Sequence, residues 1–175
     1  MNESQGTRPP RDDDRHHPHG FSRIVVGVDG SESSIDALRT AEGIAEAFGA
    51  QLHVVCVWTY PISRYTMVPP DWYPDRDAAR TVHDAADAVF GEVKPDRVHL
   101  SIVEGSPARV LIEESDTADL VVTGSRGHGG FAGLLLGSVS SALAAHAHCP
   151  VLIVHPHAEA RTDRDSDAPS ERTTR

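Results

Sequence analysis

Val121-Val122-Thr123-Gly124-Ser125-Arg126-Gly127-His128-Gly129-Gly130-Phe131-Ala132-Gly133-Leu134-Leu135-Leu136-Gly137-Ser138 is the stretch on which the fold turns. The apolar run that opens it, Asp119 to Thr123, reads as a buried strand. Gly124, Gly127, Gly129, Gly130 and Gly133 then let the backbone take positive φ and let a ligand approach it closely. Val139 to His146 reads as a helix, with Ser138 as the expected N-cap. A strand, a glycine loop and a helix N-terminus together form an anion holder. Free N–H groups and the positive end of the helix dipole point at one place.

The loop is not a Walker A motif, because that motif needs Gly-Lys-Ser/Thr and the only lysine is Lys94. Nor is it a dinucleotide fingerprint, since GxGxxG is missing after the first strand. It does carry Gly-x2-Gly-x9-Gly-Ser, at Gly124, Gly127, Gly137 and Ser138.

Outward from the loop, the chain alternates strands and helices. Ser22 to Asp29 reads as a buried strand ending in an acid, with Gly30-Ser31 as the turn. Ser31 or Ser33 caps the next helix, whose apolar face is Ile35, Leu38, Ala41, Ile44, Ala45 and Phe48, and Gly49 ends it. Gln51 to Trp58 is a second strand. Thr59 to Asp75 is an irregular stretch rich in proline and aromatic residues, either a functional loop or a lid that merely packs on the domain edge. Ala78 to Phe90 reads as a helix, Arg97 to Val103 as a third strand and Ala108 to Ser115 as a short helix behind Ser106-Pro107. Leu120 to Thr123 and Pro150 to Val154 are the last two strands. The alternation implies an α/β fold, an open five-stranded parallel doubly wound sheet. Its ligands belong at the carboxyl ends of the strands. If the first and fourth strands are neighbours, Asp29 and the glycine loop face one crevice.

A length of 175 residues suits one domain with tails, and an apolar fraction of 39% fits a core diluted by polar ends. The expected division is a disordered tail over 1–20, a folded domain over 21–157 and a second tail over 158–175. His16, His17 and His19 in the first tail are either metal ligands or a solvated low-complexity run. A net charge of −10 argues against nonspecific nucleic-acid binding and against an anionic membrane surface. The polar Met1–Gly20 segment does not read as a signal peptide, and no apolar run has the length of a membrane span. Cys56 and Cys149 lie in apolar strand contexts, which fits reduced thiols in a cytoplasmic protein.

With the glycine motif, Ile24 to Ser31, Glu104-Gly105-Ser106-Pro107 and Cys149 to Val154 in place, residues 22–156 resemble a universal stress protein domain of the ATP-binding branch. The resemblance implies the strand order 3-2-1-4-5 and a homodimer through strand 151–154. It implies that Asp29 and the backbone of Val57 contact adenine, and that Gly27 and Val28 line that pocket. Thr123, Gly124 and Gly127 would sit by ribose and phosphate. Gly137, Ser138, Val139 and Ser140 would hold phosphates by backbone N–H and hydroxyl, with Arg126 and His128 adding charge. The expected ligands are ATP and its magnesium ion.

No nucleophile with its base stands out, so binding with little or no hydrolysis is the expected activity. The ligand would act as a regulatory switch in the stress response. Two alternatives share the broad fold. One is a nucleotide-dependent enzyme, adenylating or a slow ATPase, using Gly30 to Ser34 as its phosphate loop; the Ser-Gly-Gly-x-Asp-Ser run of adenylating enzymes is missing there. The other is a flavin carrier, which a colourless preparation would remove.

Overall fold

The computed structural model describes residues 20–60, 73–128 and 135–156. The two tails with their histidine cluster, loop residues 61–72, and Gly129, Gly130 and Gly133 lie outside the described residues. The elements run β1 (Arg23–Gly27), α1 (Glu32–Phe48), β2 (Gln51–Trp58), α2 (Pro74–Phe90), β3 (Val98–Glu104), α3 (Pro107–Glu114), β4 (Leu120–Gly124), α4 (Ser138–His146) and β5 (Val151–Val154). The strands form one parallel sheet in the order β3-β2-β1-β4-β5.

Alternation along the strands builds two cores, because successive side chains leave opposite faces. Ile24, Val26, Leu52, Val54, Leu120 and Val122 pack under α1 and α2. Val25, Val55 and Val121 face the other way and meet Val110 and Leu111 of α3 and Leu143 of α4. Burial on both faces is why β1 and β4 read as unbroken apolar runs.

Several boundaries differ from the sequence reading. β1 stops at Gly27, so Asp29 stands two residues beyond the strand. α2 begins at Pro74, four residues early, with proline in its first turn beside Asp75 and Asp77. That combination suits a helix start, since proline gives up only an N–H that has no partner there. Phe48 is 51% exposed and meets Phe21 edge-on at 5.1 Å, while Ala37 takes the buried place on α1. Gly49 ends α1 as expected, at φ 66°.

Candidate functional site

The crevice opens where the sheet changes direction. From β1 the chain goes to β2 on one side, and β4 returns on the other. That is the switch point at which doubly wound sheets leave room for a ligand. The cavity holds about 400 Å³. All thirteen residues singled out from the sequence line it: Gly27, Val28, Asp29, Val57, Thr123, Gly124, Arg126, Gly127, His128, Gly137, Ser138, Val139 and Ser140. Ser34, Val55, Pro107, Leu111 and Leu136 line it too and were not anticipated.

One wall is backbone. The last β1–β2 pair is Gly27 with Val55, followed by a hydrogen bond from Val28 N–H to the Val55 carbonyl at 2.9 Å. Successive strand residues turn their N–H and C=O to alternate sides, so Val57 presents its peptide groups toward the same side as Val55. β1 has already ended at that level. Val57 therefore turns a donor and an acceptor toward the crevice.

Asp29 stands opposite. Its Oδ1 accepts from the Ser31 N–H at 3.0 Å and the Ser31 hydroxyl at 2.6 Å. The Ser31 hydroxyl in turn accepts from Ser34 N–H at 3.3 Å, so Ser31 rather than Ser33 caps α1. Oδ2 of Asp29 accepts from the His128 N–H at 3.3 Å, which ties the glycine loop to the end of β1. Burial pushes the Asp29 carboxyl up. Hydrogen bonds from Ser31 and Ser34, with His128 nearby, outweigh this and hold it below its ordinary value. Asp29 is thus a turn residue and a crevice residue at once.

The opposite end is the start of α4. Its N-cap is Gly137, at φ −79° and ψ 172°, and Ser138 is the first helical residue rather than the cap. Among the described residues no side chain caps this helix. The Gly137 N–H donates to the Ser125 carbonyl at 2.7 Å. The Ser140 hydroxyl lies within reach of the Ser125 carbonyl at 3.0 Å and the Gly137 carbonyl at 3.1 Å. That hydroxyl is engaged with the protein, and the backbone N–H is what Ser140 can offer an anion.

The glycines act by closeness rather than by positive φ. Gly124, Gly127 and Gly137 are not among the residues with positive φ. A Cβ on Gly124 would lie 2.8 Å from the carbonyl carbon of Ser33 and 2.9 Å from its oxygen. One on Gly127 would meet the Asp29 carboxylate. The Ser33 hydroxyl also donates to the Arg126 carbonyl, so the start of α1 is packed directly on the loop. The hydroxyls of Ser31 and Ser33, which a phosphate loop at Gly30 to Ser34 would need, serve as cap and loop tether.

The universal stress protein family model matches residues 20–155. A universal stress protein of Mycolicibacterium smegmatis is 37% identical over 134 residues, which cover 76% of this chain and 45% of that protein. One of Methanocaldococcus jannaschii is 30% identical over 141 residues, covering 77% and 82%. The chain spans about half the length of the mycobacterial relative. The crystal structure of a universal stress protein in complex with cAMP matches with a TM-score of 0.60 and 31% identity, over 79% of this chain and 99% of that one. A universal stress protein from Archaeoglobus fulgidus in complex with dAMP matches at 0.54 and 23% identity, over 77% and 98%, a likeness of fold.

Proposed function

The chain belongs to the universal stress protein family, and on that premise we propose that it is an ATP-binding regulatory protein whose crevice uses occupancy as a switch. The observation that carries this reading is the start of α4, uncapped among the described residues, facing the same cavity as Asp29 and Val57. Adenine offers an exocyclic amine to the Asp29 carboxylate and a ring edge to the Val57 peptide groups. Phosphate is held by the N–H groups of Ser138, Val139 and Ser140, by the Ser138 hydroxyl and by the helix dipole. Arg126 supplies the cation at the loop. Magnesium arrives with the nucleotide, bound mostly by phosphate oxygens and water.

The switch has a physical route to the sheet edge. Ser125 accepts from Gly137 N–H and donates its own N–H to the Val154 carbonyl at 2.7 Å. One residue links the phosphate end of the crevice to β5. We read β5 as the edge through which two copies pair, since an apolar edge strand needs covering. The free thiols Cys56 and Cys149 suit the cytoplasm. Among the described residues, no helix is long and apolar enough to cross a membrane.

The test is direct. Nucleotide released on denaturing the purified chain is identified by mass spectrometry, and ATP with magnesium, AMP and cyclic AMP are titrated calorimetrically. Saturable binding of ATP supports the reading. Binding of cyclic AMP alone, in keeping with the cAMP-bound relative, would keep the crevice and replace the ligand. No binding of any adenine nucleotide would reject the site.

A further inference from the structure

The opposite end of the sheet carries a feature that nucleotide binding does not use. His53 on β2 and His99 on β3 are register partners, and their ring centres lie 5.0 Å apart with planes tilted by 40°. They project to the face covered by α3 and α4, but α3 packs on β1 and β2 and α4 on β5. His99 is accordingly exposed and His53 half-buried. We propose that His53 and His99 form a site for a divalent transition-metal ion of the zinc class, with Gln51 positioning His99.

Two lines of geometry carry this. First, the ring spacing is that of two imidazoles on one ion. Nitrogens bind zinc at about 2.0–2.1 Å, and ring centres lie about 1.1 Å further out, so a tetrahedral angle separates the centres by about 5 Å. Second, the Nε2 of His99 lies 2.8 Å from the Oε1 of Gln51, on the same face of the neighbouring strand. An amide oxygen only accepts, so Nε2 carries the hydrogen and Nδ1 keeps the lone pair. Metal-binding histidines are characteristically fixed by such a bond from the other ring nitrogen. Imidazole ligands select zinc, copper or nickel over calcium and magnesium.

Arg23, whose charge reaches His53, is held by Glu114 at 2.6 Å. Water completes the coordination.

The experiment uses the full chain with His16, His17 and His19 changed to Gln, so that the tail does not compete, and zinc chloride as the probe. Calorimetry counts zinc bound, and long-range proton–nitrogen spectra report the ring nitrogens of His53 and His99. One saturable zinc that shifts both rings supports the site. Loss of even an outer partner costs about 10–100-fold in metal affinity, so His53→Gln or His99→Gln should cost at least that. Gln51→Leu should cost a comparable factor and, without zinc, relax the Nε2–H tautomer of His99, which a merely structural role would not do. His99→Gln is the decisive variant, since an exposed residue is not needed for folding. Zinc uptake unchanged in His99→Gln, or rings of both residues unmoved by excess zinc, would overturn the proposal.

Discussion

Gly137→Ala separates the fold from the ligand. The backbone of Gly137 is extended, and alanine adopts its angles without strain. A Cβ there would lie 3.4 Å from the Ser125 carbonyl oxygen, 3.5 Å from the Cα of Arg126 and 3.8 Å from the Ser140 hydroxyl, all ordinary contacts. Two stability effects oppose each other. Alanine reduces the freedom of the unfolded chain, contributing about 0.4–1 kcal/mol. It is also a poorer N-cap than glycine, at a cost of about the same size. The net change should stay within about 1 kcal/mol. Ligand binding has no such cancellation, because the new methyl lies at the mouth of the helix where phosphate must approach the N–H groups. Losing one charge-assisted hydrogen bond costs about 1.5–3 kcal/mol, or roughly 10- to 140-fold in affinity. Calorimetric titration with ATP and magnesium reads the second effect, and thermal denaturation reads the first. Gly124→Ala is the contrast. Its Cβ would strike the backbone of Ser33, so it should destabilise the fold by about 1–3 kcal/mol or more. A Gly137→Ala protein with unchanged melting and unchanged affinity would refute the reasoning that α4 holds the phosphate.

Asp29 has a folded pKa below its ordinary 3.8, so it contributes stability at neutral pH that disappears as pH falls through the folded value. The stability gap between wild type and Asp29→Asn, measured by urea unfolding, should therefore shrink on acidification below about pH 4; a gap that widens contradicts the hydrogen-bond account. Ile153→Lys places a charge on the β5 edge and should turn a dimer into a monomer in light scattering, whereas a wild type that is already monomeric at micromolar concentration removes the pairing. Burial, followed by the Asp29 charge, raises the Cys56 thiol to about 11, so iodoacetamide at neutral pH should modify it only after denaturation. Steady-state phosphate release should fall far below the roughly 1–10³ per second of ordinary enzymes, because N–H groups that bind ground and transition states equally do not raise the chemical rate. Turnover in that range, abolished by Gly137→Ala, would make the chain an enzyme.

The sheet was legible because β1 and β4 had to be apolar on both faces while each helix had to be apolar on one, and β3 alternates. Val25 and Val26 satisfy opposite cores from adjacent positions, which no amphipathic helix asks of its residues. Order was another matter. Periodicity says that β1 and β4 are strands but not that they touch, and the 3-2-1-4-5 order came from the family resemblance. The start of α2 was missed although its signal was present. Pro74 with Asp75 and Asp77 reads as a helix entry, but the prolines before it drew it into the loop. Phe48 fitted the apolar stripe of α1 and still ended half-exposed, because Gly49 stops the helix at the rim of the core.

The crevice was legible where it is backbone and obscure where it is packing. A glycine motif declares itself in the sequence, but its reason does not. Flexible turning and tight approach both select glycine, and only the Ser33 backbone beside Gly124 decides for approach. Leu111 gives no local sign of its place, since a leucine on a short helix looks like any core residue. It becomes crevice wall because Gly27 lacks a side chain. A Cβ there would lie 2.7 Å from Leu111 Cδ1. The glycine of β1 thus admits α3 to the site, and Pro107 at the start of that helix arrives with it. Both residues are set by a contact between segments more than eighty positions apart, which no local pattern could carry.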